Sequence, residues 1–180
     1  MKKPLLTALV VLVTLMISTA PRAGDFREAD WGMTVKEVRA TEKDLLPIVD
    51  NDPAAGSSMI LGLKYIGTLG GSPAMISYFF SRGKLVQGEY YIESNILKDS
   101  GGTYQTIKST LYQKYGDPVS EVERRSNDLF RIPMGWVVKW RTERTGIVFS
   151  IKKPEGSITL TYTDRTFQDI SVPKTLSQEL

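Results

Sequence analysis

Apolar and polar residues alternate with a period of two in six segments of the chain, which is the spacing of β-strands with one buried face. The alternation predicts strands at 60–66, 74–80, 85–92, 136–142, 147–152 and 158–163. Glycine-containing turns separate neighbours, as at Gly70-Gly71-Ser72-Pro73 and Ser81-Arg82-Gly83-Lys84. In the first strand we expect Leu61, Leu63 and Tyr65 on one face. The pattern therefore predicts two antiparallel groups of three strands.

Helical spacing occurs ahead of each group. Thr34 and Glu37 have the spacing of a capping box, and the pattern predicts a short helix over 34–42. A longer helix is predicted over 103–115, where the apolar positions are Tyr104, Ile107, Leu111 and Tyr115. Residues 47–58 have the composition of a loop.

These elements predict an α+β fold with an antiparallel sheet built from two α-β-β-β units, over about 25–95 and 103–164. We expect one domain over 24–180, with both helices packed on one face of a single sheet or of two sheets side by side. The segment 165–180 lacks periodicity and is expected to fray or to wrap an edge.

The first 23 residues have the pattern of a signal peptide. Lys2 and Lys3 precede an apolar run of 13 residues, 5–17, and small residues follow at Ser18, Ala20 and Ala23. The run is shorter than the roughly 20 residues that cross a bilayer, and no cysteine follows it for lipid attachment. We expect a periplasmic or secreted protein that is not a lipoprotein and keeps no stable membrane anchor after cleavage.

Composition and charge exclude several functions. The 180 residues include no cysteine and no histidine, so a thiolate nucleophile, an imidazole base and an ordinary zinc site are excluded. Cleavage after Ala23 would remove three basic residues, Lys2, Lys3 and Arg22, and leave 20 basic against the 20 acidic residues. A neutral chain gives no reason to expect a nucleic-acid partner.

Two short segments resemble those of small exported bacterial proteins: 26–42, which contains Trp31-Gly32-Met33-Thr34, and 111–118, which ends Lys114-Tyr115-Gly116-Asp117-Pro118. The chain resembles the fold of the SmpA/OmlA-type outer-membrane assembly lipoproteins and of the β-lactamase inhibitor protein. That resemblance implies helices packed on an antiparallel sheet, and a non-catalytic envelope protein that binds another macromolecule. The chain departs from both in lacking the lipobox cysteine and the disulfides.

Catalysis and metal binding have weak candidates. Carboxylates are numerous, so a carboxylate-based hydrolase of envelope polysaccharide is one alternative function, but no motif frames a catalytic pair: Asp30, Glu37, Glu42, Glu89, Glu93, Glu121, Glu123 and Asp164. The acidic run Asp50-Asn51-Asp52 lacks the spacing of a calcium loop. We therefore assign no catalytic residue, no metal ligand and no cofactor.

The predicted outward face of the last three strands is the candidate binding surface. It would display Lys139, Arg141, Lys152 and Thr161, which are cationic and hydroxyl-bearing side chains suited to an envelope protein or a glycan. We expect a periplasmic binding or accessory protein, with no enzymatic activity, that contacts an envelope partner through this face.

A second alternative is a carrier of small apolar ligands. In that hypothesis Met75, Phe79 and Tyr90 line a pocket between the sheet and the helices.

Overall fold

The structure, a computed structural model, describes residues 24–51, 59–93, 100–125, 133–153 and 155–167. The leader predicted at 1–23 and all but three residues of the segment 165–180 lie outside them. The helices are α1 Val35–Thr41 and α2 Ser100–Tyr115. The strands are β1 Pro47–Asp50, β2 Ile60–Leu69, β3 Ser72–Ser81, β4 Lys84–Ile92, β5 Ser120–Arg125, β6 Pro133–Arg141, β7 Thr145–Lys152 and β8 Ile158–Asp164.

All eight strands form one antiparallel sheet in the order β1-β2-β3-β4-β8-β7-β6-β5. The last strand of the first half, β4, pairs with the last strand of the second, β8, so the two halves meet in the middle of the sheet. The prediction of an α+β fold with an antiparallel sheet is confirmed. Two α-β-β-β units are not confirmed, because each helix is followed by four strands.

The two unpredicted strands, β1 and β5, are the edges of the sheet. β1 lies in the segment 47–58 that was expected to be a loop, and that prediction is wrong for residues 47–50. β5 has the sequence SEVERR, with no buried residue. An edge strand packs on one neighbour only, so its sequence carries little of the apolar alternation that identifies a central strand.

The predicted capping box of α1 is present. Thr34 is the N-cap, and its hydroxyl oxygen accepts from the Glu37 backbone N–H at 3.3 Å, while a Glu37 carboxylate oxygen accepts from the Thr34 backbone N–H at 2.7 Å. These bonds satisfy amides at the start of the helix that have no partner within it. α2 begins three residues before its predicted start.

Both helices pack on the same face of the sheet. Val35 and Val38 of α1 and Tyr104, Ile107 and Leu111 of α2 belong to one apolar core. The strands contribute inward residues to the same core: Leu63, Tyr65, Ala74, Ile76, Tyr78, Phe80, Leu85, Ile92, Val138, Trp140, Ile147, Phe149, Ile151, Ile158, Leu160 and Tyr162.

A β-bulge corrects the expected facing of β2. The register shifts between Leu61 and Leu63, because Leu61 pairs with Phe79 whereas Leu63 pairs with Tyr78. Gly62 is the extra residue, and a Cβ atom there would overlap the Phe80 ring. Leu63 and Tyr65 therefore face the core as predicted, whereas Leu61 faces away from it.

The chain enters the fold through a tight turn, the N-terminal hairpin (24–31), closed by backbone hydrogen bonds of 3.0 Å between Phe26 and Ala29. Phe26 is 1% exposed. Its ring lies 5.1 Å from the ring of Tyr78, 5.2 Å from Tyr90 and 5.3 Å from Tyr162, centroid to centroid. The ring thus contacts β3, β4 and β8, across the junction of the two halves.

Two polar contacts fix the same hairpin to the second half. The indole Nε1 of Trp31 donates to the Thr145 hydroxyl at 3.0 Å, and Asp25 forms an ion pair with Arg144 at 2.9 Å. No helix in the described ranges is long and apolar enough to cross a membrane.

We predict that Phe26→Ala lowers the free energy of unfolding by about 3–5 kcal/mol, because it leaves a cavity under three tyrosine rings. Urea unfolding followed by circular dichroism measures the change. The control is Leu46→Ala, since Leu46 is 89% exposed and its truncation should change stability by less than about 0.5 kcal/mol. Equal losses in the two variants would contradict the central role of Phe26.

Candidate functional site

The face of the sheet opposite the helices is the candidate site, and we call it the outer face. It consists of the strand residues that alternate with the core positions, and its central members come from β2, β3, β4, β6, β7 and β8. They are Lys64, Ile66, Met75, Ser77, Phe79, Gln87, Glu89, Tyr91, Val137, Lys139, Arg141, Val148, Ser150, Thr159, Thr161 and Thr163.

The strand register aligns one row of side chains across the outer face. Ser120 of β5, Lys139 of β6, Val148 of β7, Thr161 of β8, Glu89 of β4, Ser77 of β3 and Lys64 of β2 are direct neighbours in that order. Adjacent strands are about 4.8 Å apart, so the row is about 29 Å long. It is polar apart from Val148 and carries a carboxylate between two lysines.

Two of the four predicted site residues lie in this central row. Lys139 and Thr161 flank Val148 and are separated by one intervening strand. Arg141 lies two positions further along β6, opposite Gly146. All three face outward, as predicted.

The fourth predicted residue, Lys152, lies apart from the others. It pairs with Gly135, six positions along β6 from Arg141, which is about 20 Å for an extended strand. Its ammonium also forms an ion pair with Glu155 at 3.5 Å. The structure therefore brings Lys139, Arg141 and Thr161 together, whereas Lys152 lies at the far end of the outer face.

Glu89 occupies the middle of the outer face and was not predicted as a site residue. Its carboxylate lies 3.4 Å from the Thr161 hydroxyl, which donates to it. Burial raises the pKa of Glu89, while the Thr161 hydrogen bond and the charge of Lys64 lower it. A glutamate within the otherwise uncharged sequence VQGEYYI of β4 was the sequence signal for this position.

Beside the central row lies a row of larger and less polar side chains. Tyr91 is adjacent to Met75 on β3 and to Thr159 on β8, and Ile66 ends the row at 60% exposure. A shallow cavity of about 340 Å³ opens at the β6–β8 end of this row, where Tyr91, Val137, Ser150 and Thr159 contribute to its lining. The outer face thus offers a polar strip next to an apolar one.

Two of the carboxylates considered for hydrolysis, Glu42 and Glu121, are held in ion pairs on the helix side. Glu42 is 5% exposed, and both of its oxygens accept from Arg27, at 2.7 and 3.0 Å; the Tyr78 hydroxyl also donates to it. The hydrogen bond from Lys108 lowers the pKa of Glu121. A general acid needs a raised pKa, so Glu121 is unsuited to that role.

Metal ligands do not cluster in the described part of the chain, where no group of three or more acidic residues could hold an ion. Asp50 of the acidic run forms an ion pair with Arg39, and Asp52 lies outside the described residues. The proposed carrier pocket does not assemble either. Met75 and Phe79 point to the outer face, whereas Tyr90 points to the helix side.

Comparison with protein-family models, with curated proteins and with solved structures gives no match to this chain.

We predict that Glu89 titrates above the ordinary glutamate pKa of 4.5, because burial disfavours its charged form. The ¹³C chemical shift of its side-chain carboxyl, followed against pH, measures the value. Thr161→Val should raise the pKa further by removing a hydrogen bond to the carboxylate. An unchanged or lowered value in that variant would contradict the contact.

The same shift predicts how stability varies with pH. With a raised folded-state pKa, the folded protein holds this proton more tightly than the unfolded chain does. The contribution of Glu89 to stability is therefore greatest below pH 4.5 and falls as the pH rises through the folded-state value. We expect Glu89→Gln to remove that loss, so that its stability relative to the parent rises between pH 4 and pH 7 in urea unfolding.

Proposed function

We propose that this protein is a non-catalytic binding or accessory protein of the bacterial envelope whose outer face contacts an acidic macromolecule, either an envelope protein or a glycan. The observation that carries the proposal is the charge of that face. Lys139 and Arg141, together with Lys64 on β2 and Arg124 at the far end of β5, form no ion pair with any described carboxylate, and Glu89 is the one acid in the central row. Of these cations, Lys139 and Arg141 lie two positions apart on β6. Cations that are not neutralised by an ion pair attract an anionic partner over a distance and orient it.

The net charge of the chain helps to interpret the cations of the outer face. A chain cleaved after Ala23 is neutral, so cations gathered on one face are balanced by acids elsewhere. On the helix side, Asp25, Glu42 and Glu121 are each in an ion pair with a basic residue. The acids of the helix side are thus engaged within the fold, whereas Lys139 and Arg141 lie close together on the outer face without a described acidic partner, which favours that pair as a contact for an acidic macromolecule.

The chemistry of the outer face also suits a macromolecule better than a small substrate. Hydroxyl groups of the partly exposed Ser150, Thr159 and Thr161 lie between the cations and can both donate and accept hydrogen bonds. Exposed Ile66 at one side of the sheet and exposed Val122 at the other add apolar area at the rim. A broad, mixed surface of this kind is typical of a protein or glycan contact.

Export and fold support the same proposal. The leader pattern of residues 1–23 favours a mature protein outside the cytoplasm. Helices on one face of an antiparallel sheet are the arrangement implied by the resemblance to the assembly lipoproteins and the β-lactamase inhibitor protein. We further propose that the two halves arose by duplication, since each has one helix followed by four strands and their last strands pair.

Photo-crosslinking in intact cells of the source organism tests the proposed contact. A photoreactive residue at Thr159, on the outer face, should give a discrete adduct, whereas one at Ser109, exposed on α2, should not. Lys139→Glu with Arg141→Glu should reduce the adduct about tenfold, which corresponds to roughly 1.4 kcal/mol of binding free energy. Both residues are exposed, so folding should be retained.

The matched control reverses two exposed lysines of the helix side, Lys36→Glu with Lys43→Glu, and should leave the adduct intact. Adducts of equal yield from positions 159 and 109, or an adduct that is indifferent to the Lys139 and Arg141 reversals, would disprove the proposal.

A further inference from the structure

A cleft lies on the helix side, above the seam where β4 and β8 join the two halves. It consists of two cavities of about 170 and 100 Å³ that share Tyr90, Lys114 and Tyr162 as lining residues. α2 forms one wall, and the N-terminal hairpin closes one end. We call this space the seam cleft.

One end of the seam cleft is apolar. Its lining there includes Leu69, Ile107, Leu111 and Leu160. The β2–β3 turn approaches α2 closely at this end, since a Cβ atom on Gly70 would lie 2.8 Å from Cγ1 of Ile107. The close approach holds the β2–β3 turn against α2. The turn therefore forms one wall of this end, together with α2 and the sheet.

The other end offers a positive charge that no described acid neutralises. Lys114 lies near the C-terminus of α2, its Nζ atom is 5.1 Å from the centre of the Tyr115 ring, and it forms no ion pair with a described carboxylate. The positive charge of Lys114 acts on Tyr90 and offsets part of the rise that burial causes in the pKa of Tyr90. The carboxylate of Asp25, which also lines this end, is already bound by Arg144 and by the Trp31 backbone N–H.

Tyrosine hydroxyls complete the polar end. The Tyr90 hydroxyl oxygen accepts from Nη1 of Arg27 at 3.3 Å, and no described residue accepts its proton. Tyr115 and Tyr162 line the same end of the cleft. Burial raises the pKa of Tyr90 and of Tyr162, so both hydroxyls stay protonated at neutral pH and can donate.

We propose that the seam cleft binds a small amphipathic carboxylate, with its carboxylate on Lys114 and the Tyr90 hydroxyl and its short apolar chain between α2 and the β2–β3 turn. An ammonium beside a free hydroxyl donor matches a carboxylate, and the apolar end matches an aliphatic chain. Both cavities are smaller than the roughly 300–1,000 Å³ of sites for drug-sized ligands, which limits the chain to medium length. The inference uses the side of the sheet opposite the outer face and is independent of the proposed function.

Titration with octanoate, followed by the amide resonances of the protein, tests the proposal. We expect saturable shifts at Tyr90, Leu111 and Lys114 with a Kd at or below about 1 mM, and weaker binding of the neutral 1-octanol. Lys114→Met should weaken octanoate about tenfold and remove its advantage over octanol, because the exposed lysine provides charge without supporting the core.

A steric variant tests the apolar end without touching the charge. Thr110 is exposed and lines the cleft, so Thr110→Trp should block both ligands, whereas Ser109→Trp, one position away and outside the lining, should block neither. Lys36→Met is the control for charge removal. Absence of saturable octanoate binding, or binding unaffected by both Lys114→Met and Thr110→Trp, would overturn the proposal.

Discussion

The contact between Phe26 and Gly88 is the constraint on which the rest of the architecture depends. Gly88 pairs with Tyr78 on one side and with Tyr162 on the other, so it lies where the two halves of the sheet are joined. A Cβ atom at position 88 would overlap the Phe26 ring. The missing side chain therefore makes room for a ring from the N-terminal hairpin, which precedes the helix and strands of the first half, and that ring packs over the seam.

Polar groups next to Phe26 determine how the seam is closed. Arg27 has a φ of 55°, in the left-handed region, and from there its guanidinium reaches both Glu42 at the C-cap of α1 and Tyr90 of β4. A buried ion pair contributes little net stability, but loss of either partner leaves an uncompensated charge. The N-terminal hairpin is thus held in one position by the ion pair of Arg27 with Glu42 and by the packing of the Phe26 ring. Since it covers only one end of the seam, a cleft remains between it and α2.

Features set by neighbouring residues could be predicted from the sequence, and features set by distant ones could not. The α1 capping box depends on Thr34 and Glu37, three positions apart, and the outward facing of Lys139, Arg141 and Thr161 follows from the period of two. The predicted facing of Leu61 is wrong because the bulge at Gly62 reverses the alternation, and the side chain that leaves room only for glycine at position 62 is Phe80, 18 positions away. Phe26 carries no local motif, and the isolated charge of Glu89 in β4 does not reveal its central position on the outer face. Their roles come from a strand order in which β4 is adjacent to β8, and nothing in the alternation of either strand indicates that pairing.

That strand order also connects the two proposed sites. Successive residues of a strand point to opposite faces, so Glu89 lies at the centre of the outer face while its neighbour Tyr90 lines the seam cleft. On β8, Thr161 and Tyr162 divide in the same way, with Thr161 on the outer face and Tyr162 in the cleft. The two proposed sites therefore share the backbone of these two strands. Lys64 on β2 and Arg124 on β5 lie further from the seam, two strands from β4 and three strands from β8 respectively. The arrangement makes the β4–β8 pair the place where the fold, the partner surface and the cleft meet.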